Sequence, residues 1–209
     1  MHEATKCLEA RRILERYLVE VVEMYELCPW ARTARLGGEL AVEIVLGAPA
    51  IDDWIAAASR ALARPGTRVA MVVAPELAIA PAALRAIRDE VAARVGAGVA
   101  DFHPDAALDL ATPARLVPFL RRSPDPMLQL VPLALLEAVR GGSSVADRAH
   151  QAQILGGQAA PPPDDVAARI AAANHAAVKL HHAAITATLD AIADDRRAAY
   201  ARAGISACR

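Results

Sequence analysis

Large aromatic side chains are scarce in this chain, which has two Trp, three Tyr and two Phe among 209 residues. A core cannot be built around stacked rings here. It must use Val, Leu, Ile and Ala, and alanine supplies much of the 55% hydrophobic fraction. Alanine at that level favours helix. Cysteine is sparse too. Cys7, Cys28 and Cys208 make no disulfide framework, and no CxxC pair marks a zinc ribbon. Neither sign of charge dominates: the formal net charge is -1 and no basic block stands out. That balance disfavours a nucleic-acid or anionic-membrane partner. No run approaches the roughly 18 apolar residues of a membrane span. The N-terminal "MHEATKCLEARRILERYLVE" lacks the apolar core of a signal peptide. These absences predict a cytoplasmic protein with reduced thiols. Neither a GxGxxG nor a GxxxxGK[ST] loop is present, so no nucleotide motif points to a cofactor.

What is present alternates. Residues 5–27 carry Ile13, Leu14, Leu18, Val21, Val22 and Tyr25 at helical spacing. "ELAVEIVLG" (39–47) reads as a first strand, and "AIDDWIAAASRALA" as a helix with Asp52 as its N-cap. "TRVAMVVAP" (67–75) is almost continuously apolar, as expected of a strand covered on both faces. "APAALRAIRDEVAARVG" is the next helix, with Pro81 in its first turn. "AGVADFHP", a short helix at "TPARLVPFLRR" and "PMLQLVP" follow as strand, helix and strand. The pattern predicts an α/β fold with a four-stranded, mostly parallel sheet flanked by helices. The strands at 68–74 and 127–131 should be central. The last strand has an antiparallel option, because only about two dozen residues separate it from the third.

The organisation falls into three parts: an α/β domain over 1–142, a Gly-, Ser- and Pro-rich linking segment over 143–163, and a helical extension over 164–209. In that extension Val178, Ile185 and Ile192 recur every seven residues beside Leu189. Such a seam packs against the first helix or joins a homodimer.

Three stretches can carry chemistry. In "ELCPWAR", Pro29 suits the first position of a helix, which makes Cys28 its N-cap. Exposed N–H groups there favour a thiolate. Trp30 can wall a pocket, and Arg32 and Arg35 add positive charge. The bland alternative is a buried cysteine closing a helix. In "DFHPD", His103 directly follows a strand, where open α/β sheets bind their ligands. It suits an acid, a base or a metal ligand. Its alternative is a turn histidine bonding nearby backbone. In "RRSPDPMLQL", Arg122 and Ser123 can grip a carboxylate or phosphate within a proline frame. A solvated, salt-bridged turn is the alternative.

Taken in order, "LCPWA", "FHP" and "RSPDPMLQL" resemble an uncharacterised bacterial and plant family, the domain of unknown function 1415, over roughly residues 5–140. The resemblance implies that Cys28, Pro29, His103, Pro104, Arg122, Ser123, Pro124 and Pro126 hold matching positions. It names no reaction. The chain departs from the family at Trp30 for Phe, Arg121 for Asn, Asp125 for Tyr and Gln129 for His. Val131-Pro132 replaces the family's Leu-Arg. On that resemblance the chain would be a divergent member.

The resulting expectation is a small-molecule enzyme in which Cys28, His103 and Arg122 converge. Cys28 serves as nucleophile, His103 as base and Arg122 as anion anchor, for acyl transfer or hydrolysis. Trp30, Arg32, Ser123, Asp125 and Gln129 complete the surface for a carboxylate- or phosphate-bearing substrate. Two other readings stand beside it. One is metal or haem binding at Cys28 or His103, which leaves ligands missing. The other is a noncatalytic module that oligomerises through the long helix. His175 and His182 share one helix face but, seven residues apart, are too distant for one metal unless another chain contributes, and His181 lies about 100° round the helix, so no metal site is assigned to them.

Overall fold

The computed structural model describes residues 2–28, 30–140 and 163–205. Pro29, Cys208 and nearly all of the expected linking segment 143–163 lie outside the described residues.

Four strands form one sheet: β1 (Leu40–Ile44), β2 (Val69–Val73), β3 (Ala97–Phe102) and β4 (Met127–Pro132), in the order β1-β2-β4-β3. The apolar β2 and β4 are the interior strands, as their sequences require. Only β1 and β2 pair in parallel; β4 runs antiparallel to both β2 and β3. The expectation of a mostly parallel sheet is therefore corrected. The reason is the connection after β3. Phe102 ends β3 and pairs with Met127, which begins β4. The intervening chain leaves and re-enters at one end of the sheet, so no crossover is needed.

Helices cover both faces. On one lie α3 (Ile51–Leu62) and α4 (Pro81–Ala92). There Ala57, Ala58 and Ala61 are fully buried, and their small side chains let α3 sit close over Ala70 and Val72. Trp54 fills the remaining space. The first turn of α3 is held by Asp53, not Asp52: the Asp53 Oδ2 accepts the Ala50 N–H at 2.8 Å.

The other face carries the site. Over it lie α1 (His2–Tyr17), α5 (Pro113–Leu120) and a helix α7 (Pro163–Ala203) of 41 residues, with α6 (Leu133–Arg140) following β4. The first helix is not continuous to residue 27. After Tyr17 it loosens into a π-helical segment, Leu18–Glu23, with the Leu27 N–H reaching the Val22 carbonyl at 2.9 Å. A short helix α2 (Ala31–Leu36) follows.

The heptad-spaced residues of α7 are used within the chain. Val178, Ile185 and Ile192 are fully buried in the same core as Ile13, Leu14 and Tyr17 of α1. Arg12 and Arg16 both hold Asp195 across that contact, at 2.7 Å and 2.6 Å. The intramolecular helix pair expected for the seam is formed.

Candidate functional site

The sheet face beneath α1 is apolar in alternate positions, as a half-covered sheet requires. Leu40, Val69, Met71, Ala100 and Phe102 share it, and so does Gln129, opposite both Met71 and Ala100 in the register. An amide at the centre of an interior strand is the exception on that face. Above it the helices do not close down. A cavity of about 520 Å³ remains between the sheet, the π-helical segment, α2, α5 and α6. The wide turns of the π segment bring Leu18 and Val22 to its wall. Segments of this kind often border functional sites.

Cys28 lines this cavity with Trp30, and so do Tyr17, Gln129, Asn174 and Arg121. The turn bearing Cys28 is positioned from two sides. Asn174 of α7 donates its Nδ2 N–H to the Leu27 carbonyl at 3.1 Å. His181 packs its ring on Tyr25, with centroids 5.6 Å apart. A positive φ of 51° at Glu26 turns the chain out of the helix, a conformation uncommon for a side-chain-bearing residue. Helix α2 then starts at Ala31 with Trp30 at its N-cap position, so Cys28 is not the N-cap that the Cys-Pro pair suggested. The Cys28 carbonyl instead accepts the Ala31 N–H at 3.2 Å.

Several polar groups in the cavity have no hydrogen bond. Among the described residues the Tyr17 hydroxyl, the Cys28 thiol and the Gln129 carboxamide are unpartnered. Tyr17 is only 2% exposed. Burial pushes its phenol well above the usual range, with a smaller push from nearby Cys28. It is therefore a neutral O–H at physiological pH. Arg121 reaches around the edge of the sheet to within 3.7 Å of Asp101. That carboxylate is already bonded to Arg88 at 2.6 Å, so the Arg121 guanidinium keeps donors free. Arg68, on the opposite side of the cavity, lies 3.7 Å from Glu39.

The other sequence-derived residues lie elsewhere. His103 and Arg122 do not line the cavity. The buried His103 ring accepts the Asp105 N–H at its Nδ1, at 3.0 Å. Its Nε2 must then carry the proton, which it donates to the Ile79 carbonyl at 2.8 Å. Both nitrogens are committed to backbone, and no lone pair is left for a base. This is the turn-histidine arrangement. Arg122 donates to the Pro104 carbonyl at 3.2 Å and lies 3.8 Å from Asp190 of α7. It braces the two Pro-containing turns against the long helix. Arg32 is exposed and outside the cavity.

Ser123 and Asp125 belong to a buried network. The Ser123 hydroxyl donates to the Asp125 carbonyl at 2.6 Å. The Asp125 carboxylate accepts from Arg196 Nε at 2.7 Å and from the Tyr200 hydroxyl at 2.6 Å. Arg196 also donates to the Pro75 carbonyl at 3.1 Å and lies over the Tyr200 ring. Burial pushes the Asp125 carboxyl upward, against the Arg196 charge and the Tyr200 hydrogen bond. Both Asp125 carboxylate oxygens and the Ser123 and Tyr200 hydroxyl protons are engaged inside the network, so it offers a substrate no free carboxylate.

The C-terminal histidines do not gather either. His175 meets the Leu110 carbonyl at 2.9 Å, and His181 serves the ring contact. Among the described residues no three His, Cys, Asp or Glu side chains come together as a metal ion needs. None of the described helices is long and apolar enough to cross a membrane.

Sequence reasoning missed Tyr17, Asn174 and Arg121. Tyr17 was hidden in an apolar stripe. Asn174 was readable: it stands four residues before Val178, a polar residue on an otherwise apolar seam. No protein-family model, curated protein or solved structure matches this chain. The geometry alone therefore carries the functional argument.

Proposed function

We propose that the protein binds a small, largely apolar molecule in the cavity over the inner face of the sheet, with the Cys28 thiol facing it. One observation carries this reading: a half-open space of about 520 Å³ whose mainly apolar walls hold a few unpartnered polar groups. Ligand sites have this size and this composition. Filled only by apolar matter, the cavity leaves the Gln129 amide unpaired, at about 1–3 kcal/mol. A ligand with a polar centre removes that cost.

Thiol chemistry on the bound molecule is the enzymatic form of this proposal. Its base is not His103, whose ring is already committed. The Tyr17 hydroxyl and Gln129 instead supply neutral hydrogen bonds.

The test uses a neutral apolar dye, N-phenyl-1-naphthylamine, on protein in which Cys7 and Cys208 are replaced by Ser. Dye fluorescence should rise on binding, and bound dye should slow alkylation of Cys28 by N-ethylmaleimide. Ala100→Phe, which fills the floor of the cavity, should abolish both effects while the circular dichroism stays unchanged. Dye binding that survives Ala100→Phe, or that leaves Cys28 alkylation untouched, defeats the proposal.

A further inference from the structure

The polar groups of the cavity are unevenly placed, and their placement constrains the ligand. Gln129 stands opposite Ala100, one strand in from the β3 edge. Arg121, at the end of α5, reaches the same edge at Asp101. Across the sheet, Leu40 and Val69 give the β1–β2 side an apolar floor. Arg68 and Glu39 also line the cavity on that side, but they lie 3.7 Å apart and offset each other's charge, so the polar side, where Gln129 and a guanidinium stand together, is the one at β3.

The charge at the polar side is small and positive. Arg121 keeps free donors because its acidic neighbour is 3.7 Å away and engaged by Arg88. Its side chain is 38% exposed, so it stands where the cavity meets solvent. One guanidinium with a nearby carboxylate suits a single negative charge. A phosphate monoester carries about two charges at neutral pH. It would set two charges against one free guanidinium, because Arg88 is spent on Asp101 and Asp89, and Arg68 stands beside Glu39 on the far side. The planar guanidinium fork matches a planar carboxylate, and the Gln129 amide adds an N–H donor on the same side.

We infer that the ligand is a monocarboxylic acid with an apolar body, its carboxylate held at the β3 side by Arg121 and Gln129 and its body lying over Leu40, Val69 and Met71. This inference rests on the cavity being the ligand site and goes further by naming the head group. It also moves the anion anchor from Arg122 to Arg121. Arg122 donates its Nε to the Pro104 carbonyl and does not line the cavity.

Octanoate is the probe, read by displacement of the neutral dye at low ionic strength, with octanamide and octyl phosphate as comparators. Octanoate should displace the dye at lower concentration than either comparator. Arg121→Gln should weaken octanoate about tenfold or more, the range for a lost hydrogen bond to a charged group, and leave octanamide and the dye unchanged. Gln129→Leu, which removes the amide from a half-buried position at similar size, should also weaken octanoate selectively. Equal binding of octanoate and octanamide, stronger binding of octyl phosphate, or indifference to Arg121→Gln each overturns the inference. If the dye binds and no octyl compound displaces it, the head-group inference fails while the cavity reading stands. If the dye does not bind, both fall.

Discussion

Replacing Arg196 by Met tests whether the Asp125 network is structural. The substitution keeps most of the side-chain stem and removes the guanidinium. What is left behind is a carboxylate 2% exposed, with Tyr200 as its remaining side-chain donor. Breaking a buried ion pair by removing one partner costs about 3–5 kcal/mol. Two further losses act in the same direction: the Pro75 carbonyl loses its donor, and the Tyr200 ring loses the cation above it. For a chain of this size the penalty corresponds to a fall in Tm of roughly 6–20 °C. Urea unfolding at pH 7 with a tryptophan or far-UV signal measures it. Tyr200→Phe, which removes one hydrogen bond to the carboxylate, should cost less, about 1.5–3 kcal/mol. Converting the pair to apolar residues, with Asp125→Leu added to Arg196→Met, should recover stability relative to Arg196→Met alone, because no charge is then stranded. Dye binding should survive in all three variants, since Asp125 and Arg196 lie outside the cavity lining. An Arg196→Met variant within about 1 kcal/mol of the parent would refute the energetic reasoning. Loss of ligand binding in a folded Asp125 variant would restore that residue to the binding surface.

Three other expectations follow from the same geometry. Hydrogen bonds from Arg12 and Arg16 hold the Asp195 carboxyl well below the usual carboxylate range. Its contribution to stability is therefore complete at neutral pH and is lost as pH falls below about 4, the unfolded value. Asp195→Asn should lower Tm at pH 7 and narrow the gap to wild type at pH 3, and a constant gap across that interval would count against it. Ile185→Ala removes a fully buried side chain from the α1–α7 contact, so chemical unfolding should show a loss of about 2–5 kcal/mol; a change below about 1 kcal/mol would mean that α7 does not close this core. Cys28 is partly buried in the cavity wall, so with Cys7 and Cys208 replaced by Ser it should react with N-ethylmaleimide more slowly than free glutathione does at the same pH. A rate equal to that of glutathione would place the thiol in open solvent.

Much of the architecture was legible because the relevant signals are local and periodic. The apolar runs at Val69–Val73 and Met127–Pro132, the second interrupted only by Gln129, declared two central strands, and these are the interior strands. The seven-residue spacing of Val178, Ile185 and Ile192 declared a helix with one buried face. Spacing cannot name what covers a face, so an intramolecular pair and a homodimer looked alike in sequence. Direction was ambiguous for a similar reason. Strand pairing depends on where the chain between β3 and β4 returns, and that return is set by packing of α5 on the core.

The sequence by itself determined the chemistry available: a cysteine in a Pro-bounded turn, a histidine after a strand, arginines beside prolines, and a lone glutamine in an apolar strand. Only the tertiary structure decided which of these are free to act. His103 loses both ring nitrogens to the Ile79 and Asp105 backbone, and Asp125 disappears into an ion pair with a residue of the distant helix α7. Cys28 and Gln129, far apart in sequence, meet at one cavity with Tyr17. The physical reason is hydrogen-bond satisfaction. A polar side chain becomes a binding group when the fold leaves its donors and acceptors unspent, and the partners that spend them come from elements remote in the chain.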